Sequence, residues 1–277
     1  MGADCKSAGL RLQWFKSTIY HNFLYEKRIK MNDKEIEKKR YDERAKRTDQ
    51  VVASNLPKWL LSPAMKYESV IAKEISASCH VVELGSGVGA NTETVLKTGA
   101  KVIATDISDV SLESLRKKYI SYSNLKIEVS DMEKLPFHDR SFDFVVSAGS
   151  LSYGDNDLVM NEIYRVLKPS GTFICMDSLN DNPIYRFNRF IHFRRGHRTK
   201  STLMRMPDSR IIENYRELFL EINVYFYGSI SWLMPLLNKI LNEERCKQVS
   251  DGFDRFIRTR LSAFKFVMIA RKNEMGK

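Results

Sequence analysis

The stretch Val81-Val82-Glu83-Leu84-Gly85-Ser86-Gly87-Val88-Gly89 decides the fold of this 277-residue chain. An apolar strand that runs directly into glycines, followed by a helix over residues 91–98, predicts a loop whose backbone approaches a ligand closely. A second apolar strand ends in Asp106 about twenty residues later, where a carboxylate can accept hydrogen bonds from ribose hydroxyls. The stretch therefore predicts a nucleotide-binding α/β fold.

The glycine pattern alone leaves two classes of ligand open. Gly85, Gly87 and Ala90 also satisfy the dinucleotide pattern G-x-G-x-x-G/A. Glu83 stands before the first glycine, and a carboxylate there repels a pyrophosphate but attracts an ammonium group. The spacing therefore favours a nucleoside that carries an amino acid over NAD.

Short apolar runs alternate with amphipathic helical stretches along most of the chain. Such strands predict a mostly parallel sheet covered by helices on both faces. The predicted strands are residues 80–84, 101–106, 125–130, 142–147, 172–177, 222–227 and 264–270. We expect a doubly wound α/β domain over residues 51–277, a helical N-terminal extension over residues 1–50, and insertions at about residues 183–206 and 230–260.

The composition excludes several classes of protein. With 43% hydrophobic and 29% charged residues the chain is an ordinary globular one, neither disordered nor fibrous. No apolar run approaches the roughly 20 residues of a membrane span, and no signal-peptide core opens the chain. The net charge of +11 leaves anionic small molecules, a membrane surface and RNA open as partners.

The four cysteines indicate a reducing compartment. Cys5, Cys79, Cys175 and Cys246 lie far apart, with no CxxC pair and no histidine at metal-ligand spacing. We therefore expect no metal site and no disulfide framework. The expected location is the cytoplasm, with peripheral membrane binding left open.

The charge-rich stretch over residues 26–47 predicts a mostly solvated helix, because its apolar positions are scattered.

Acids follow three consecutive predicted strands. Glu83 and Asp106 end the first two, and Asp131 follows the third with Met132 next to it. An acid beside an apolar side chain can bond an adenine amino group and cover the ring. Because ligands of open α/β sheets bind at the carboxyl ends of the strands, these acids are expected at one site.

Together these pieces resemble the class I S-adenosylmethionine-dependent methyltransferases, in the small-molecule branch that includes ubiquinone/menaquinone-type enzymes. The resemblance is strong over the middle third of the chain. It implies the strand order 3-2-1-4-5-7-6, with the last strand antiparallel. The matching pieces are Glu83-Leu-Gly-Ser-Gly-Val-Gly89, Ala104-Thr-Asp-Ile-Ser108, Asp131-Met-Glu-Lys-Leu-Pro-Phe137, Ser141-Phe-Asp-Phe-Val-Val146, Val166-Leu-Lys-Pro-Ser-Gly-Thr172 and Tyr41-Asp-Glu-Arg-Ala45.

The resemblance also implies a cofactor, S-adenosyl-L-methionine, and its product, S-adenosyl-L-homocysteine. Glu83 and the glycines would hold the methionine portion, Asp106 the ribose, and Asp131 with Met132 the adenine. Tyr41 would close over the cofactor. The cofactor-binding residues predicted in this way are Tyr41, Glu83, Gly85, Ser86, Gly87, Gly89, Asp106, Ile107, Asp131, Met132, Ser147, Ala148 and Leu151.

The sequence defines the residues on the acceptor side of the site less closely than the cofactor-binding residues. A hydroxyl acceptor needs a general base near the methyl group. The candidates are Tyr153, Asp155, Asp177, His192 and His197, and the sequence prefers none of them. Asp155 also suits a helix cap, and the histidines also suit a plain basic surface.

The first insertion interleaves aromatic and basic residues without an acid over residues 184–200. Its arginines suit a phosphorylated or lipid-linked acceptor, a membrane surface, RNA, or a lid helix that only faces water. Its start, Asn182-Pro-Ile-Tyr-Arg186, is similar to methyltransferases encoded among bacterial surface-polysaccharide genes. The predicted substrate-binding residues are Arg186, Arg189, Arg194 and Arg195.

The sequence therefore predicts O-methylation of a sugar or another small anionic or lipid-linked acceptor. The alternative is C- or N-methylation of a quinone-like or other small metabolite. RNA methylation and a non-catalytic binding protein are less favoured. The base-methylation motif is not matched, because Asn182-Pro-Ile-Tyr185 follows the fifth strand and has Ile in place of the second Pro. The oligomeric state is left open.

Overall fold

The fold was determined from a computed structural model. It describes residues 34–43, 45–46, 56–256 and 261–274. Most of the predicted N-terminal extension therefore lies outside the described residues, as do residues 257–260 of the second insertion.

Seven strands form one sheet in the order β3-β2-β1-β4-β5-β7-β6. All neighbouring pairs are parallel except those of β7, which runs antiparallel to both β5 and β6. This arrangement confirms the predicted doubly wound sheet and its strand order. The strands are β1 (His80–Leu84), β2 (Lys101–Asp106), β3 (Leu125–Val129), β4 (Phe142–Ala148), β5 (Leu167–Ser178), β6 (Glu221–Tyr227) and β7 (Lys265–Arg271).

Strand β5 is longer than predicted, because it begins at Leu167 and not at Thr172. The stretch Lys-Pro-Ser-Gly between these residues has the composition of a turn. In the structure it forms an irregularity in the ladder: Leu167 pairs with Phe142 while Thr172 pairs with Phe144, and Ser170 between them has a φ of 60°. The extra residues bulge away from β4.

Helices cover both faces of the sheet. The helices are α1 (34–43, continuing at 45–46), α2 (Ser62–Glu74), α3 (Thr92–Leu96), α4 (Asp109–Lys118), α5 (Asn156–Val166), α6 (Pro183–Arg194), α7 (Lys200–Met204), α8 (Ser209–Leu218), α9 (Met234–Leu237) and α10 (Glu243–Phe256). The side chains of β1 alternate between two cores: Val82 and Leu84 pack with α5 and α8, whereas Val81 packs with α2, α3 and α4.

Helix α1 differs from the predicted solvated helix. Glu37 is only 8% exposed and Ala45 only 2%. Residues 34, 37, 38, 41, 42 and 45 share one helical face that contacts the domain, and Arg40 beside that face bonds the carbonyls of Gly196 and His197. The face is mostly polar, so apolar periodicity could not reveal that it packs against the domain.

Both predicted insertions contain helices. The first holds α6 and α7, and we call residues 183–206 the lid. The second holds α9 and α10, which pack around Trp59, Met234 and Cys246. No helix in the described ranges is long and apolar enough to cross a bilayer.

Candidate active site

The glycine loop after β1 is fixed by hydrogen bonds to the end of β2. The amide of Ser86 donates to the carbonyl of Thr105 at 2.9 Å, and the amide of Gly87 donates to Oδ2 of Asp106 at 2.9 Å. Gly85 and Gly87 have φ angles of +65° and +53°, which L side chains rarely adopt. The loop therefore depends on glycine for its shape.

The space beside the two glycines differs. A Cβ on Gly85 would lie 2.4 Å from Cβ of Ser150, which is closer than atoms approach. A Cβ on Gly87 would meet nothing within 4 Å. The open side of the loop is thus at Gly87, and Gly85 is packed against the segment after β4.

Glu83 lies beneath this loop and is only 2% exposed. Oγ1 of Thr92, at the start of α3, donates a hydrogen bond to Oε2 of Glu83 at 2.6 Å. Burial raises the pKa of Glu83 to about 7, against the hydrogen bond from Thr92, which lowers it. An ammonium group nearby would stabilise the charged form, so the site suits the cationic end of an amino acid.

The raised pKa of Glu83 predicts a pH dependence of stability. An ordinary Glu has a pKa of 4.5, so between about pH 4.5 and about pH 7 the unfolded chain has lost this proton while the folded chain retains it. The free energy of unfolding should therefore fall as pH rises through this window, by about 3 kcal/mol in total. Glu83→Gln should remove this decline. Urea unfolding of the ligand-free protein at about pH 5 and about pH 8 measures it.

Glu93→Gln is the matched control, because Glu93 is exposed and its pKa is lowered by Lys97. Asp106 and Asp177, whose pKa values are also raised by burial, are present in all three proteins, so the quantity compared is the difference in pH dependence between the wild type and each variant. An identical pH dependence in the wild type and Glu83→Gln would contradict the assignment.

Asp106 ends β2 with both carboxylate oxygens engaged. Oδ2 accepts the amide of Gly87, and Oδ1 accepts the amide of Ser108 at 2.8 Å. Burial raises the pKa of this carboxyl group, and the two amides lower it. Each oxygen retains capacity for a further donor. The predicted ribose contact is therefore sterically and chemically compatible with the loop.

Asp131 and Met132 follow β3 on the same edge. The side chain of Met132 reaches the glycine loop, since its Cε lies 3.6 Å from where a Cβ on Gly85 would be. Oδ2 of Asp131 accepts a hydrogen bond from Nζ of Lys34 at 2.6 Å, and the same Nζ lies 2.6 Å from Oε2 of Glu133. Helix α1 thus reaches the predicted adenine position.

The end of β4 forms the opposite wall. Ser147 is fully buried, and its Oγ lies 2.6 Å from Oγ of Ser150, which donates to the carbonyl of Leu84. The ring of Tyr41 in α1 packs edge-on against Tyr153, with centroids 5.2 Å apart. Ala148, Leu151 and Ile107 lie along the same edge of the sheet.

These residues fit S-adenosylmethionine. Open space borders the loop at Gly87, the buried carboxylate of Glu83 and the partly buried one of Asp106 flank it, and a thioether side chain lies alongside. In this arrangement Asp106 would hold the ribose and Glu83 would favour the methionine ammonium. Their individual roles stay predictions.

The five candidate bases do not form one group. Asp177 is buried, and its carboxylate accepts the amides of Leu151 at 3.0 Å and Ser178 at 2.6 Å. Tyr153 lies beside Tyr41, and burial raises the pKa of its hydroxyl. Asp155 is the N-cap residue of α5 without a side-chain capping bond. His192 and His197 lie together at the end of α6, 5.7 Å apart.

The predicted substrate arginines separate into two sets. Arg189 is only 4% exposed and points inward with Tyr185. Arg186, Arg194 and Arg195 are exposed on the outside of α6. Only Arg189 therefore faces the interior of the site.

Sequence reasoning missed several residues at this edge. They are polar positions that no apolar period marks, and they come from α1, from the turns after β2 and β4, from the lid and from β7: Lys34, Asp42, Ser108, Ser150, Arg198, Arg205 and Lys265. The helical spacing of Lys34, Lys38 and Asp42 was the available signal for α1.

Comparison with known sequences gives a match in the middle of the chain. Residues 82–175 match the family described as "Methyltransferase domain" (Methyltransf_11). Over 120 residues the chain is 34% identical to the sterol 4-C-methyltransferase of Caenorhabditis elegans, covering 42% of this chain and 36% of that protein. Over 111 residues it is 37% identical to the ubiquinone/menaquinone biosynthesis C-methyltransferase of Rickettsia felis, covering 35% and 44%. The chain thus spans less than half the length of these relatives.

Comparison with solved structures shows the fold. A methyltransferase in complex with the Trm112 methyltransferase activator of Haloferax volcanii superposes with a TM-score of 0.59 and 19% identity, over 86% of this chain and 97% of that one. Phosphoethanolamine N-methyltransferase 2 of Haemonchus contortus, solved with S-adenosylhomocysteine, gives 0.54 and 15%, over 76% and 53%.

Proposed function

We propose that this chain, which belongs to the class I S-adenosylmethionine-dependent methyltransferases, methylates a carbon atom of a small-molecule acceptor. The observation that carries the proposal is the identity of 34% and 37% to two different C-methyltransferases. The names of these relatives place their acceptors among sterols and quinone precursors.

The predicted O-methylation of a sugar is less well supported than its alternative. Neither of these two relatives supports it, and both support C-methylation of a small metabolite. The family match covers residues 82–175, however, which contain the predicted cofactor-binding residues other than Tyr41, and the lid lies outside it. A glycan or a membrane as partner therefore has only the basic, aromatic composition of the lid in its favour.

The side chains near the acceptor side agree with a carbon acceptor. The bound cofactor supplies a methyl group on a positively charged sulfur, which leaves as a neutral thioether when the acceptor carbon takes the methyl. A sugar hydroxyl needs a strong base for this reaction. Asp177 is held by two backbone amides, and the hydroxyl of Tyr153 keeps its proton because burial raises its pKa. A ring carbon next to an ionised hydroxyl is already nucleophilic. It bonds the methyl group as the thioether leaves, and its own proton is then lost to water, which requires a weaker base than a sugar hydroxyl does.

The chain's own contribution is positioning and exclusion of water. The rings of Tyr41 and Tyr153 pack edge-on over the end of β4, and Leu151 is fully buried behind them. An acceptor ring between these side chains and the glycine loop would be held in a largely apolar space.

Transfer of labelled methyl from S-adenosylmethionine to defined acceptors tests the proposal. The panel is a reduced naphthoquinol with a free ring carbon, a sterol, a sugar nucleotide and phosphoethanolamine. We expect label in the naphthoquinol or the sterol, with the new methyl on carbon by NMR. Label on a sugar oxygen would contradict carbon methylation.

A further inference from the structure

Arg189, in the middle of α6, is a buried cation with an unused donor. Its Nη1 donates to the carbonyl of Leu179 at 2.6 Å and to Oδ1 of Asn180 at 3.0 Å. Its Nη2 is enclosed by protein and has no hydrogen-bond partner among the described residues. A buried guanidinium nitrogen without an acceptor costs free energy unless a ligand supplies one.

Lys265 brings a second cation to the same place. Strand β7 is antiparallel to β5, so its first residue pairs with Ser178, the last residue of β5, at the carboxyl edge of the parallel strands. Lys265 makes no ion pair within the described part of the chain, and burial lowers its pKa. Burial, together with the nearby charge of Arg198, lowers the pKa of Arg189 to about 10.

The negative charge facing these cations is Asp177. It interacts electrostatically with both Arg189 and Lys265. Its two oxygens accept the amides of Leu151 and Ser178, and among the described residues neither cation lies within ion-pair distance of it. Two cations and one anion leave this buried cluster with an excess positive charge, which is costly in the interior.

The cluster borders the acceptor side of the site. Asp177 and Arg198 both act electrostatically on Tyr153. Arg205 donates to the carbonyl of Tyr153 at 3.5 Å. The lid thus brings Arg198 and Arg205 to the turn after β4 and Arg189 to the segment after β5, whereas Arg186 remains outside.

We propose that Arg189, with Lys265, binds an oxyanion, a carboxylate or phosphate group, carried by the acceptor. The inference rests on the proposed function only in calling the bound molecule an acceptor. A planar guanidinium with a free Nη2 and a neighbouring ammonium group suits the oxygens of such a group.

Anion binding to the full-length protein saturated with S-adenosylhomocysteine tests this proposal without any methyl transfer. Benzoate and phenyl phosphate are titrated by calorimetry at constant ionic strength, with benzamide as the uncharged probe. We expect at least one anion to bind and benzamide not to bind. Arg189→Met should weaken that anion by about tenfold or more, because a charged hydrogen bond is lost. Binding of benzoate alone indicates a carboxylate acceptor, and binding of phenyl phosphate alone a phosphate ester.

Arg186→Met is the matched control, since it removes the same charge from the exposed side of the same helix. It should leave the affinity unchanged. If Arg189→Met fails to fold, Lys265→Gln tests the proposal in its place, and it should also weaken the binding of the anion. Equal affinities in the wild type and the inner variants, or no anion binding to the wild type, would overturn the proposal. If the protein binds the anion but methylates no carbon, only the proposed function is contradicted, and the proposed anion site stands.

Discussion

Gly85→Ala is expected to lower the free energy of unfolding by about 3 kcal/mol or more. The residue has a φ of +65°, and forcing a side chain into that conformation costs about 1–2 kcal/mol. The new methyl group would also lie 2.4 Å from Cβ and 2.8 Å from Oγ of Ser150. Ser150 cannot move away without breaking its bonds to Ser147 and Leu84, so overpacking adds to the strain. Urea unfolding at constant pH measures the loss.

Substitutions at two other glycines distinguish the cost of backbone strain from the cost of overpacking and from the loss of ligand binding. Gly196→Ala in the lid has the same conformational cost, with a φ of +74° and no neighbour within 4 Å, and should cost about 1 kcal/mol. Gly87→Ala should lower the free energy of unfolding as little as Gly196→Ala does. It should nevertheless weaken the binding of S-adenosylhomocysteine, because the new side chain would occupy the open side of the loop. Equal destabilisation by all three substitutions would show that the contact with Ser150 carries no weight.

Asp106→Ala is expected to weaken S-adenosylhomocysteine binding by at least about tenfold. The substitution removes the predicted ribose acceptor and the two backbone bonds that hold Gly87 and Ser108, each a hydrogen bond to a charged group. Calorimetric titration measures the effect, and a circular dichroism spectrum like that of the wild type shows that the fold is kept.

Asp109→Ala is the matched control for the charge. Asp109 lies three residues away, is largely exposed, and pairs with Lys38 at 2.6 Å. It should change the affinity little, because an exposed ion pair contributes little. If Asp106→Ala and Asp109→Ala gave the same affinity, the ribose would have been placed wrongly.

The sheet and the glycine loop could be predicted because their information is local. Val81 and Val82 face opposite cores, so β1 reads as an apolar run between a polar start and a glycine, interrupted only by Glu83. The loop shape follows from Gly85 and Gly87, whose positive φ angles only glycine adopts at little cost.

The rest of the site depends on contacts between distant parts of the chain. Lys34 meets Asp131 across 97 residues, and nothing near either residue in sequence specifies the pair. Lys265 reaches the site only because β7 reverses direction beside β5. Arg189 differs from Arg186 only in its position on a helix whose two faces both contain aromatic and basic residues. Single-sequence patterns carry no signal for such contacts.

Helix α1 has a consequence for the kinetics of ligand exchange. It contacts the end of β3 through Lys34, the end of β2 through Asp42, and the lid through Glu37 and Arg40. Ten helical residues span about 15 Å, so these contacts belong to one rigid rod. We therefore expect α1 to leave Asp131 and the lid together. A nucleoside bound at the predicted adenine position should then dissociate no faster than the helix moves, and the predicted cofactor and acceptor positions should be uncovered in one event.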